Sequence, residues 1–194
     1  MRLTSVCVYC GFANNVDPRF KEGARQLGSR LGELGLLLVY GAAGGDGLMG
    51  IVAASALQAG GKVCGIIPEH MLNKEAPLEN LTELHVIANM HTRKRMMVDR
   101  SDAFVILPGG LGTLDETFEL LTWKKLELHN KPVIFLNQNG YWDEFLVLIK
   151  KMIAEGFCAP EDQDLFQVVT SVEEVLAALN SASPSAESSH TGLM

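Results

Sequence analysis

The chain has 194 residues, 47% of them hydrophobic, and a formal net charge of −7 at pH 7. That length and apolar content suit one compact domain with a sizeable core. The acidic balance excludes a general affinity for nucleic acid or for an anionic membrane surface, so any anion site must be local.

The elements alternate from the N-terminus onward. "MRLTSVCVYCG" enters a strand at once (4–10), without the apolar core of a signal peptide. Its "CVYC" is a literal C-x-x-C, but Cys7 falls inside the strand and not at a helix N-terminus. Buried, reduced thiols are therefore expected. With Cys64 and Cys158 there are four cysteines, too few for a disulfide scaffold in a chain of this length.

Residues 18–35 form an amphipathic helix with Pro18 at its start and Gly35 at its end. A strand (36–40), a glycine-rich loop and an almost wholly apolar helix (48–60) follow. A third strand covers 62–67, and 68–83 is loop with short helical turns. A short strand (83–88) precedes a helix at 90–101 that Asn89 caps. The strand at 103–108 leads to a helix at 112–128. The strand at 132–137, helix at 141–156, strand at 166–170 and helix at 172–180 complete the series.

Wholly apolar strands separated by helices imply a parallel sheet covered on both faces, a doubly wound, Rossmann-like α/β fold in one domain. The small, polar segment 181–194 is expected to be disordered. No run reaches the ~20 apolar residues of a membrane span, and a soluble cytoplasmic protein is expected.

Two glycine loops fall at the carboxyl ends of strands, where open parallel sheets bind ligands. The first, "YGAAGGDGLMG", contains Gly45-x-Gly47-x-x-Gly50. That spacing suits a phosphate at a helix N-terminus, or glycines that only allow close packing. A dinucleotide site would add an acidic residue about 20 positions on, where Glu69 lies near. The second loop is "PGGLGT", with Gly109, Gly110, Gly112 and Thr113. Its glycines leave the backbone bare, and the first helical N–H groups with the Thr113 hydroxyl offer donors to an anion. Thr113-x-x-Glu116 also spells a capping box, with Glu116 reaching back to the Thr113 amide. Alternatively, Glu116 faces whatever the phosphate carries. In "MHTRKRMM" the charges fan out at about 100° per residue. Arg93 shares a face with Met90 and Met97 and is the inward candidate. The histidines show no metal-ligand spacing, and no nucleophile elbow is present.

Together "PGGLGTLDE", "MHTRK" and "YG…GLMG", with "GIIP", "FELLTW" and "KPVIFLN", resemble the LOG family over residues 3–180. These are cytokinin riboside 5′-monophosphate phosphoribohydrolases, often labelled lysine decarboxylases. The resemblance implies a homodimer or a higher assembly that cleaves the N-glycosidic bond of an N6-substituted AMP. It assigns Arg93 and Glu116 to catalysis. It assigns Gly109, Gly110, Gly112, Thr113, Gly45, Gly47, Met90 and Lys94 to the nucleotide 5′-monophosphate, with no cofactor and no metal. No lysine is placed to hold pyridoxal phosphate. Against the family pattern, the first loop is one residue longer and adds Asp46, and Phe12 stands where small residues are common. A non-catalytic carrier of a phosphorylated ligand such as molybdenum cofactor is the alternative, and a dinucleotide enzyme built on residues 45–50 is a third. Phe118, Leu121, Trp123 and Leu128 give helix 112–128 more apolar surface than one buried face needs, so a subunit contact is expected there.

Overall fold

The computed structural model describes residues 3–72 and 75–182. It contains seven strands: β1 (Ser5–Tyr9), β2 (Leu37–Tyr40), β3 (Val63–Pro68), β4 (Glu83–Ile87), β5 (Ala103–Ile106), β6 (Val133–Leu136) and β7 (Gln167–Val169). Six helices join them: α1 (Pro18–Glu33), α2 (Leu48–Gln58), α3 (Met90–Asp99), α4 (Leu111–Lys125), α5 (Asp143–Ala154) and α6 (Val172–Ser181). All pairings are parallel, in the order β4-β3-β2-β1-β5-β6-β7. This is the doubly wound sheet read from the apolar strands.

β1 is buried on both faces, and its residues divide alternately between two cores. Val6, Val8 and Cys10 pack with α1, α2 and α6. Cys7 and Tyr9 pack with α3, α4 and α5. A polar residue has no exposed side of β1 to occupy, which explains the unbroken apolar run. The glycines of α1 have a packing role: a Cβ on Gly28 would lie 2.2 Å from the Val52 oxygen, and one on Gly32 2.5 Å from that of Ala56. They let α1 and α2 touch backbone to backbone.

Strand order reverses beside β1. The chain steps outward through β2, β3 and β4, then returns to place β5 on the other flank of β1. The crevice at this reversal is where open α/β sheets take ligands. Across it the Leu107 amide donates to the Tyr9 oxygen at 2.9 Å and the Gly11 amide to the Pro108 oxygen at 3.0 Å.

Boundaries differ from the sequence reading chiefly at helix ends. The helix expected at 141–156 is α5 (Asp143–Ala154), two residues shorter at each end, and a short 3-10 turn (Gln138–Gly140) precedes it. Asn139 takes φ 54° in that turn, which keeps it separate from α5. The tail expected from 181 overlaps α6 at Ser181, and residues 183–194 lie outside the described residues. Among the described residues no helix is long and apolar enough to cross a membrane.

Candidate active site

A cavity of about 390 Å³ opens at the crevice between β1 and β5, within the range of small-ligand sites. Its walls come from the loop after β1, the start of α2, the segment after β3, α3 and the start of α4.

The capping box does not form. Helix α4 begins at Leu111 with Gly110 as its N-cap, and no side chain caps it. Thr113 is therefore the third helical residue and Glu116 lies a turn inside. The first ladder bond runs from the Leu114 amide to the Gly110 oxygen at 3.0 Å. The amides of Leu111, Gly112 and Thr113 have no helical partner and carry the positive end of the dipole. A Cβ on Gly110 or Gly112 would meet nothing within 4 Å, so those glycines leave open space above the amides. Gly109 instead permits close packing: a Cβ there would fall 2.1 Å from Thr113 Oγ1 and 2.9 Å from the Gly11 amide nitrogen. Tyr141 fixes this turn, its hydroxyl donating to the Gly109 oxygen at 2.6 Å.

Glu116 points inward and is only 7% exposed. Among the described residues no hydrogen bond holds its carboxylate. Burial pushes its pKa up to about 7; the charges of Arg93 and Lys94 oppose the rise, and those of Asp115 and Glu75 add to it. The carboxyl therefore titrates near neutrality.

Arg93 is 3% exposed, on the first turn of α3. Asn89 starts that helix, accepting from the Thr92 amide at 2.9 Å. Arg93 Nη2 donates to the Gly41 oxygen at 2.9 Å, and Nη1 lies 3.6 Å from Met71 Sδ and 3.8 Å from Met90 Sδ. Nε is buried without a partner among the described residues. The guanidinium thus faces two weak acceptors and one carbonyl, with donor capacity left for a ligand. A Cβ on Gly41 would stand 1.9 Å from Arg93 Nη2, so the end of β2 must be bare for the arginine to lie flat.

The structure brings together Arg93, Glu116, Met90, Gly110, Gly112 and Thr113 on the cavity wall, with Gly109 directly beneath. It places three expected binding residues elsewhere. Lys94 is buried but turns to α4, where Nζ forms ion pairs with Glu119 at 2.7 Å and Asp115 at 3.1 Å. Gly45 and Gly47 lie off the wall. Gly45 takes φ 84°, and Gly47 is the α2 N-cap, where a Cβ would strike the Phe12 oxygen at 2.1 Å. The Met49 amide at this helix start already donates to the Gly11 oxygen at 3.1 Å. Gly47 thus serves packing and Gly45 a left-handed turn, and the loop after β1 takes up one of the amides at the start of α2. Asp46 is exposed. Phe12, 59% exposed, and Leu111, 87% exposed, flank the mouth.

Sequence reading missed Gly41, Met71, Glu75 and Tyr141. Only the position of Gly41 at a strand end carried a signal. It also missed a grouping on β3 and β4, where Cys64, Glu83 and His85 bring donor atoms within 4.8 Å of one another. Arg100 occupies that place, with Nη1 3.1 Å from Cys64 Sγ and paired with Glu83. Cys7 and Cys10 are buried free thiols, and burial raises the pKa of both. Burial disfavours the thiolate that redox chemistry needs.

A family model described as "Possible lysine decarboxylase" matches residues 49–179. Among the described residues, no lysine lines the cavity. A cytokinin riboside 5′-monophosphate phosphoribohydrolase of Rhodococcoides fascians is 43% identical over 178 residues, covering 91% of this chain and 89% of its own. One from Arabidopsis thaliana is 38% identical over 183 residues, covering 94% and 84%. In fold, the chain is similar to a molybdenum cofactor carrier protein of Chlamydomonas reinhardtii, with a TM-score of 0.70 at 21% identity over 92% of this chain and 96% of that one. With matches of this extent and identity, the chain belongs to the family described as possible lysine decarboxylases, the family that includes the cytokinin riboside 5′-monophosphate phosphoribohydrolases.

Proposed function

We propose that the protein hydrolyses the N-glycosidic bond of N6-substituted adenosine 5′-monophosphates, releasing the free base and ribose 5-phosphate. The observation that carries this reading is Glu116: a buried carboxyl with a pKa of about 7, one turn from a bare helix N-terminus. The amides of Leu111, Gly112 and Thr113, with Thr113 Oγ1, hold the 5′-phosphate. This places the ribose over Glu116 and the base toward Phe12 and Leu111 at the mouth.

Loss of the base leaves an oxocarbenium-like ribose. The Glu116 carboxylate stabilises that cation and takes a proton from the water whose oxygen bonds to C1′; the departing base nitrogen takes its proton from solvent, and Glu116 returns its own to solvent, so one water is consumed per bond broken. Arg93 adds positive charge beside Glu116, and its Nε–H is available to an acceptor on the nucleotide. Phosphate binding at a distance from the breaking bond fixes the sugar and lowers the barrier to the chemical step.

The working unit is a homodimer in this reading. Leu121 is buried and Trp123 half-buried in the chain's own core, but Phe118, Leu126 and Leu128 are 38%, 63% and 69% exposed on and just after α4. That apolar strip supports a second copy as its cover.

Purified protein is incubated with isopentenyladenosine monophosphate and, separately, with AMP, and free base is separated by chromatography. Faster release from the first supports the substituted substrate. Comparable release from both identifies a broader nucleotide hydrolase. No release from either refutes the enzyme and favours a carrier of a phosphorylated ligand.

A further inference from the structure

Away from the cavity of Arg93 and Glu116, one group of side chains carries metal-ligand chemistry. In the parallel register Cys64 on β3 stands beside Glu83 on β4. His85 follows Glu83 by two residues and so projects from the same face of the strand. One donor atom from each of the three lies within 4.8 Å of the others. None of the three lines the cavity.

Arg100, the C-cap residue of α3, already brings a positive charge to this group. Its Nη1 donates to Cys64 Sγ at 3.1 Å and also to Glu83 Oε2, and His85 Nε2 lies 3.0 Å from that same Glu83 oxygen. A thiol is a weak acceptor. A guanidinium is best matched by a two-pronged carboxylate, yet only Nη1 engages the group among the described residues. The place is therefore built for a cation, and a planar one fits it poorly. A compact ion that meets sulfur, nitrogen and oxygen at one point fits it better. Zinc binds at about 2.3 Å to sulfur and about 2.0–2.2 Å to nitrogen and oxygen, which sets neighbouring donors roughly 3.5 Å apart. The three atoms need to draw in by little more than about 1 Å at most to reach that spacing. Glu83 and His85 are half-exposed on the edge strand and can turn to do so.

We propose that Cys64, Glu83 and His85 form a binding site for a zinc-class divalent cation, with Arg100 holding the place when the metal is absent. On binding, the Cys64 thiol gives its proton to solvent and its sulfur bonds to the metal as the thiolate. The Arg100 side chain, 34% exposed, swings into water, and a water completes the tetrahedron. Sulfur and imidazole donors select zinc over magnesium and calcium, which take oxygen ligands. The ion clips the edge strand β4 to β3. It lies at the opposite end of α3 from Arg93, so this site is independent of the nucleotide chemistry.

Tag-free, reduced protein is titrated with Co²⁺. A sulfur-to-cobalt charge-transfer band with the visible bands of a tetrahedral ion is expected, and stoichiometric Zn²⁺ should erase both. Zinc affinity is then measured by competition with a chromophoric chelator. Cys64→Ala and His85→Gln should each weaken it by about 100-fold. Cys158→Ser should leave it unchanged. Arg100→Gln should tighten it by about 10-fold, because the metal no longer displaces charge-assisted hydrogen bonds. His85 and Arg100 are half-exposed, so their variants keep the test decisive even if Cys64→Ala fails to fold. Absence of the charge-transfer band in wild type overturns the site. So does a band that survives in folded Cys64→Ala, or a zinc affinity indifferent to His85→Gln. Weaker zinc binding by Arg100→Gln overturns the place-holding role of the arginine.

Discussion

Replacing Glu116 with glutamine removes one titratable proton and changes almost no volume. In the folded chain this carboxyl titrates at about 7 instead of its ordinary 4.5, because burial disfavours its charge. The sign follows from linkage. Below pH 4.5 the group is neutral in both the folded and unfolded chain and contributes nothing. Between 4.5 and 7 the unfolded chain releases the proton while the folded chain keeps it, and the fold loses stability as pH rises. Above 7 both forms are ionised and the penalty levels off. At about 1.36 kcal/mol per pKa unit, the rise from 4.5 to about 7 amounts to ~3 kcal/mol. Glu116→Gln lacks this penalty. It should match wild type near pH 4 and exceed it by ~3 kcal/mol at pH 8, or roughly 6–12 °C in melting midpoint for a chain of this size. Urea unfolding of both proteins at pH 4, 6 and 8, with equal m-values, measures the difference. A constant offset across that range would refute the burial argument, whatever the variant's activity.

The same carboxyl shapes the rate. Since kcat/KM reports the free enzyme, its profile should fall on the acid side with an apparent pKa near 7; activity holding level to pH 5 would remove Glu116 as the base. Gly41→Ala should fold, because its new Cβ meets the far end of Arg93, but the displaced guanidinium should cost about 100-fold in kcat; calorimetric melting and steady-state kinetics separate the two effects. Lys94→Gln should destabilise by ~2 kcal/mol, less than for a fully buried pair because Asp115 is exposed, and leave KM within about 3-fold. A large rise in KM at unchanged stability would return Lys94 to the binding site. Charges at Phe118 and Leu128 should halve the mass seen by light scattering, and an unchanged mass would send the subunit contact elsewhere.

How far the sequence could be read depended on the range of each signal. Strands such as "CVYC" and "AFVILP" are apolar throughout because both faces are covered, so burial alone marks them and the parallel sheet follows. Asn89 was legible because a cap acts within three residues. The capping box at Thr113 failed because the pattern fits two frames, and the bare Gly110 took the N-cap. The first glycine loop left a phosphate role and a packing role equally open, because spacing cannot report that the Gly11 carbonyl takes up the Met49 amide of α2. Lys94 looked free because its partners lie on α4, more than 20 residues on. Glu75 gave no signal at all, since its meaning comes from the buried space around it.

The reversal of strand order beside β1 also has a kinetic side. Val6 pairs with Ala103, whereas Ser5 pairs with Leu37. The floor of the cavity therefore closes only when segments nearly a hundred residues apart have met, and so large a loop closure is a slow step in folding. Intermediates that have docked β2, β3 and the first two helices lack α4 and cannot hold a phosphate. A ligand in this cavity adds its binding energy only to the finished molecule, so phosphate protection in a refolding experiment times the last long-range pairing.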